Sequence, residues 1–158
     1  NRLVNDHLSN ALKSKPSPIY HTSFANRITT GNTTDDMSKI ATADWIIEVV
    51  VERLDIKKLV FEQIEKYRKP GTLITSNTSG IPIHFMSEGR SEDFQQHFCG
   101  THFFNPARYL KLFEIILLID SGLYFSSNFL LCINISLISL IIITHSSSVF
   151  FSKDRIKL

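Results

Sequence analysis

With 158 residues the chain can form one domain with a sizeable core, or part of a larger one. Lys and Arg number 17 against 15 Asp and Glu, a formal net charge of +2 that gives no reason to expect a polyanionic partner. No Lys/Arg cluster interleaved with aromatics supports nucleic-acid binding, and the two cysteines, Cys99 and Cys132, provide neither a disulfide framework nor a metal-ligand spacing.

The elements alternate along the chain. Leu3, Val4, Leu8, Ala11 and Leu12 recur at helical spacing over Arg2 to Lys13, and Pro16 and Pro18 end that helix. Arg27 to Thr30 is a short β-prone run closed by Gly31-Asn32. Asp35 and Asp36 then sit where a helix start favours acids, with Met37, Ile40 and Ala41 as its inner face. Trp45 to Val51 is nearly all apolar, as a strand covered on both faces should be.

Leu54 to Tyr67 reads as an amphipathic helix with Leu54, Ile56, Leu59, Phe61 and Ile64 on or near its inner side. Pro70-Gly71 ends it, and Thr72 to Thr75 forms the next strand. A short helix over Ile81 to Ser87 and strands over His97 to Phe104 and Tyr109 to Ile116 complete the soluble part. Strand–helix alternation of this kind predicts an α/β fold with a mostly parallel sheet covered by helices on both faces.

Composition changes abruptly near Ile116. From Leu117 to Ser152 the only formal charge is Asp120, and Ile, Leu, Phe and Ser dominate. Residues 117–158 are therefore expected to be a divergent hydrophobic tail after a domain at 1–116. Three origins fit the tail: a membrane-crossing segment near 123–145, a buried core element, or out-of-frame translated sequence. Lys153, Arg155 and Lys157 would suit the cytoplasmic end of a span.

The chemistry gathers at the ends of three short β-rich runs. Ser76-Asn77-Thr78-Ser79 offers hydroxyls, Thr101-His102-Phe103-Phe104-Asn105-Pro106 an imidazole, and Lys111-Leu112-Phe113-Glu114 a carboxylate. The ends of such strands are where an open α/β sheet presents its functional groups. An imidazole takes a proton near neutral pH, a carboxylate orients it, and a hydroxyl holds a substrate oxygen, so the set reads as a proton-transfer site. Plainer roles compete: a core histidine for His102, a helix cap for Ser79, helix-entry charges for Glu52 and Lys57, and a simple turn at Asn105-Pro106. Glu114 in an apolar strand resists a plain reading, because buried carboxylates seek partners.

The phrases Ala43-Asp44-Trp45-Ile46-Ile47-Glu48-Val49-Val50-Val51-Glu52, Ile74-Thr75-Ser76-Asn77-Thr78-Ser79 and Gly100-Thr101-His102-Phe103-Phe104-Asn105-Pro106 closely resemble the NAD-binding domain of the 3-hydroxyacyl-CoA dehydrogenases. The likeness covers Asn1 to Ile116. It implies a partial Rossmann-like, doubly wound parallel sheet with NAD as cofactor and an acyl-CoA as substrate. The implied reaction is oxidation of an L-3-hydroxyacyl-CoA to the 3-ketoacyl-CoA in fatty-acid β-oxidation. By the same resemblance His102 is the general base, Glu114 its partner, and Ser79 the serine near nicotinamide and substrate oxygen. Asn105, Glu52 and Lys57 belong to the nicotinamide–ribose region.

The resemblance also implies parts that this chain does not show. Family members open on a strand and a glycine-rich turn that holds the pyrophosphate. They end in a helical domain that completes the acyl pocket and mediates dimerisation. The chain opens on Asn1, downstream of that turn, and Leu117 onward matches none of the rest. The expectation is an incomplete, inactive fragment with open strand edges where the first strand would lie. Its place is cytoplasmic, or at a membrane through 123–145. The competing functions are a non-enzymatic remnant and a membrane-anchored protein with weak nucleotide or partner binding.

Overall fold

The structure, a computed structural model, describes residues 2–105, 109, 113–118, 140–144 and 148–152. Helix α1 spans Arg2–Lys13, followed by a 3₁₀ helix at Thr22–Arg27, strand β1 at Ile28–Asn32 and a second 3₁₀ helix at Met37–Thr42. Strand β2 (Trp45–Val49), helix α2 (Leu54–Tyr67) and strand β3 (Leu73–Ser76) form the first strand–helix–strand unit. Helices α3 (Ile83–Ser87) and α4 (Glu92–Gln96) then lead into β4 (Phe98–Phe103) and β5 (Phe113–Leu117). The tail contributes β6 (Leu140–Thr144) and β7 (Ser148–Ser152).

The sheet runs β1-β7-β6-β2-β3-β4-β5. Four consecutive strands, β6, β2, β3 and β4, are parallel, whereas β5 and the β6–β7–β1 side pair antiparallel. This is the α/β, Rossmann-like arrangement that the alternation predicts.

Residues two apart share a face of a strand, so Ile46, Ile74 and Phe98 stand in one registered row across β2, β3 and β4. The core packs on that row, with Phe61 and Ile64 of α2, Ile83 and Met86 of α3, and Phe94 of α4 above it. Phe61 meets the rings of Phe94 and Phe98 edge-on at 5.7 and 5.2 Å. Helix α4, which the sequence reading left out, starts where the Ser91 hydroxyl accepts the Phe94 amide at 3.2 Å, an N-cap. One row further along the same face come Glu48, Ser76 and Gly100. A Cβ on Gly100 would lie 2.9 Å from Ile83 Cγ2 and 3.2 Å from Ile116 Cβ, so glycine lets α3 and β5 close onto β4 there.

Three expectations change. The inner face of the Met37 element is Met37, Ile40 and Ala43, with Ala41 exposed, because a 3₁₀ helix repeats every three residues rather than 3.6. On α2 the buried side holds Lys57, Phe61 and Ile64, while Leu59 is 64% exposed. The β2 edge expected to stand open is instead paired with β6, and β1 with β7. Unpaired strand edges recruit partners, and a Leu/Ile run suits a strand inside a sheet. Most of the proposed span 123–145 lies outside the described residues, and its described stretch, Leu140–Thr144, is a strand. Among the described residues no helix is long and apolar enough to cross a membrane.

Candidate active site

Because β2, β3 and β4 are parallel, their carboxyl ends open on one edge of the sheet. Glu52 follows β2, Ser79 follows β3, and His102 and Asn105 lie at the end of β4 and just beyond it. Strand β5 returns antiparallel beside β4, which brings Glu114 to this same edge.

His102 and Glu114 are direct cross-strand partners in the β4–β5 register. Side chains directly opposite on neighbouring strands point the same way, and here His102 Nδ1 and Glu114 Oε2 are 3.0 Å apart. Both remain reachable, at 30% and 40% exposure. With Nδ1 engaged by the carboxylate, Nε2 is the nitrogen that can accept a proton, and the carboxylate stabilises the imidazolium that results. The Phe104 ring stands edge-on to the imidazole at 4.8 Å and limits its tilt.

Glu52 organises the loop after β3. Its Oε1 accepts the Thr78 hydroxyl and the backbone amides of Ser79, Gly80 and Ile81, the last three at 3.3, 3.0 and 3.3 Å. Burial pushes the Glu52 carboxyl up, but the Thr78 hydroxyl, the Gly80 amide and the Lys57 ammonium together hold it below the usual carboxylate value. The loop so gathered leaves Ser79 exposed at the edge, and Asn105 is exposed as well. Asn77 ties this loop to β4 by accepting the Phe103 amide through Oδ1 at 3.1 Å.

Lys57 is placed differently from the open residues. It is 0% exposed, with its ammonium 2.9 and 3.0 Å from the Glu48 carboxylate oxygens and 3.4 Å from Glu52 Oε2. It therefore stands behind Glu52 rather than on the open edge. Sequence reasoning missed Glu48 and Thr78. The signal for Glu48 was available, since a lone carboxylate in an apolar strand is the argument that singled out Glu114.

An exposed hydroxyl, an exposed amide side chain and a half-exposed carboxylate thus stand on one strand-end edge, where an open α/β sheet binds its ligands. Among the described residues no cluster of His, Cys, Asp or Glu is arranged to hold a metal. Cys99 is buried, which pushes its thiol up to about 11, so it is no nucleophile.

The profile of the 3-hydroxyacyl-CoA dehydrogenase NAD-binding domain matches residues 3–121. A probable 3-hydroxyacyl-CoA dehydrogenase of Bacillus subtilis (strain 168) is 54% identical over 115 residues, covering 73% of this chain and 15% of that protein. One of Deinococcus radiodurans is 46% identical over 116 residues, covering 73% of this chain and 34% of that protein. The chain thus spans about a seventh and a third of these two curated relatives. Among solved structures, 3-hydroxybutyryl-CoA dehydrogenase from Escherichia coli K12 superposes with a TM-score of 0.50 at 28% identity, over 72% of this chain and 22% of that one. These matches converge with the sheet order and the strand-end edge: the chain belongs to the family of 3-hydroxyacyl-CoA dehydrogenase NAD-binding domains.

Proposed function

We propose that this chain carries the proton-transfer pair and part of the nicotinamide site of an NAD-dependent dehydrogenase that oxidises an L-3-hydroxyacyl-CoA to the 3-ketoacyl-CoA. The observation that carries this reading is the His102–Glu114 pair, 3.0 Å apart at the sheet edge where Ser79 and Asn105 are exposed. NAD, when bound, supplies the acceptor for the hydride that leaves carbon 3. His102 Nε2 takes the hydroxyl proton as that hydride departs, and Glu114 holds the ring by Nδ1 and stabilises its charge. The Ser79 hydroxyl would hold the substrate oxygen, and Asn105 would be among the residues that hold the nicotinamide. Glu52, which clamps the Ser79 loop, would help to hold the nicotinamide ribose, and Lys57 acts through Glu52.

The test is a chimera in which residues 3–116 replace the matched segment of the Bacillus relative. It should form NADH from a 3-hydroxyacyl-CoA. In that chimera His102→Ala should lower kcat by roughly 10²- to 10⁴-fold, the usual worth of a general base, with the Kd for NAD little changed. Turnover preserved in His102→Ala would remove the base assignment.

A further inference from the structure

Glu48 is the least expected side chain in the sheet. It lies near the carboxyl end of β2, between Ile47 and Val49, is 0% exposed, and stands in the registered row with Ser76 and Gly100. Its carboxylate is fully engaged. Oε1 accepts the Val50 amide at 2.5 Å and the Lys57 ammonium at 2.9 Å, and Oε2 accepts the Ser76 hydroxyl at 2.5 Å and Lys57 at 3.0 Å. Stability alone does not account for such a pair, since apolar side chains of similar volume hold an interior as well or better. What the pair adds is direction. Lys57, also 0% exposed, is shared between Glu48 inside the sheet and Glu52 at its edge, and Glu52 gathers the Thr78 hydroxyl and three successive amides of the loop.

We propose that Glu48 is a positioning residue: through Lys57 it fixes the Glu52 carboxylate, and through Glu52 the 78–81 loop that presents Ser79 at the open edge. Two carboxylates around one ammonium leave one negative charge over. That charge falls on the half-exposed Glu52, where the loop amides and water compensate it. The relay therefore runs from a neutralised pair inside the sheet to a charged acceptor at its rim. Its relevance to the reaction rests on the reading of Ser79 given above, but the relay itself does not.

Hydrogen exchange on the whole 158-residue chain, with no cofactor or substrate, tests it. In the double variant Glu48→Gln/Lys57→Met no unpaired charge stays buried, so amides of β2 and β3 should keep their protection. Ser79, Gly80 and Ile81 should exchange about ten- to hundredfold faster, the effect of losing a charge-assisted hydrogen bond. Glu52→Gln should accelerate the same three amides. If Glu52→Gln frees the loop while the double variant leaves it as slow as the parent, Glu52 clamps unaided and the proposal falls. Should the double variant lose protection throughout, Glu48→Asp decides, because it keeps the charge and shortens only its reach. Selective acceleration at 79–81 there supports the relay, and an unchanged loop overturns it. A chimera that fails to turn over while these exchange patterns hold would defeat the functional reading alone.

Discussion

Glu52 draws four donors of one loop onto a single carboxylate oxygen, so its charge state sets the order of that loop. A carboxyl held below its ordinary value in the folded chain stabilises it at every pH above the unfolded-chain value, about 4.3 for glutamate. That contribution disappears as pH falls through the lowered folded value. The amide signals of Ser79 to Ile81 should therefore titrate together with a midpoint below that of an ordinary glutamate, and Glu52→Gln should abolish the transition. A midpoint above that value would mean that Thr78, Gly80 and Lys57 do not hold the carboxylate. At this scale much was legible. The hydroxyl, imidazole and carboxylate of Ser79, His102 and Glu114 stand out by residue type at the ends of β-rich runs, and strand order brings them to one edge; Asn105 is singled out by the family resemblance alone. Glu48 was not legible, because burial and partnership arise only when β2, α2 and β3 come together.

Helix α2 ends where the sequence reading put it, at Leu54 and Tyr67, yet its inner face differs by one choice. Leu59 was assigned inward on hydrophobicity, but 100° steps place Lys57, Phe61 and Ile64 in one stripe and turn Leu59 out. A lysine inside a helix stripe cannot be foreseen from amphipathy, since the carboxylates of Glu48 and Glu52, brought to it by the fold, make it tolerable. The two positions should answer differently to truncation. Phe61→Ala should cost about 3–5 kcal/mol, whereas Leu59→Ala should stay within about 0.5 kcal/mol, read as shifts in urea midpoint. Equal losses would contradict the assigned face. The second 3₁₀ helix teaches the same lesson. Its buried residues Met37 and Ile40, with Ala43 just after its end, fit a period of three, and a helical period misplaces Ala41.

Over the whole molecule the parallel sense of β2, β3 and β4 was legible, because strand–helix alternation returns each strand in the same direction. The tail was not, because a run of Ile and Leu fits out-of-frame sequence, a membrane span and a buried core element alike in composition, and a strand there is recognised by its neighbour. Here β2 provides the neighbour, with Ile46 opposite Ile141 and Ile47 opposite Ile142. Ile142→Pro removes an amide from the middle of β6, and proline is poorly accepted inside a sheet. The variant should lower the thermal midpoint and raise concentration-dependent light scattering as the β2 edge comes free to recruit other chains. Unchanged midpoint and scattering would argue against the β2–β6 ladder.

The facing placement of His102 and Glu114 on antiparallel strands has an evolutionary corollary. Side chains alternate faces along a strand, so a single-residue deletion within β5 would rotate the acid to the far side and dissolve the dyad. Lengthening or shortening the connection between the two strands would leave it untouched. Within this lineage, indels should be purged from the β4–β5 ladder.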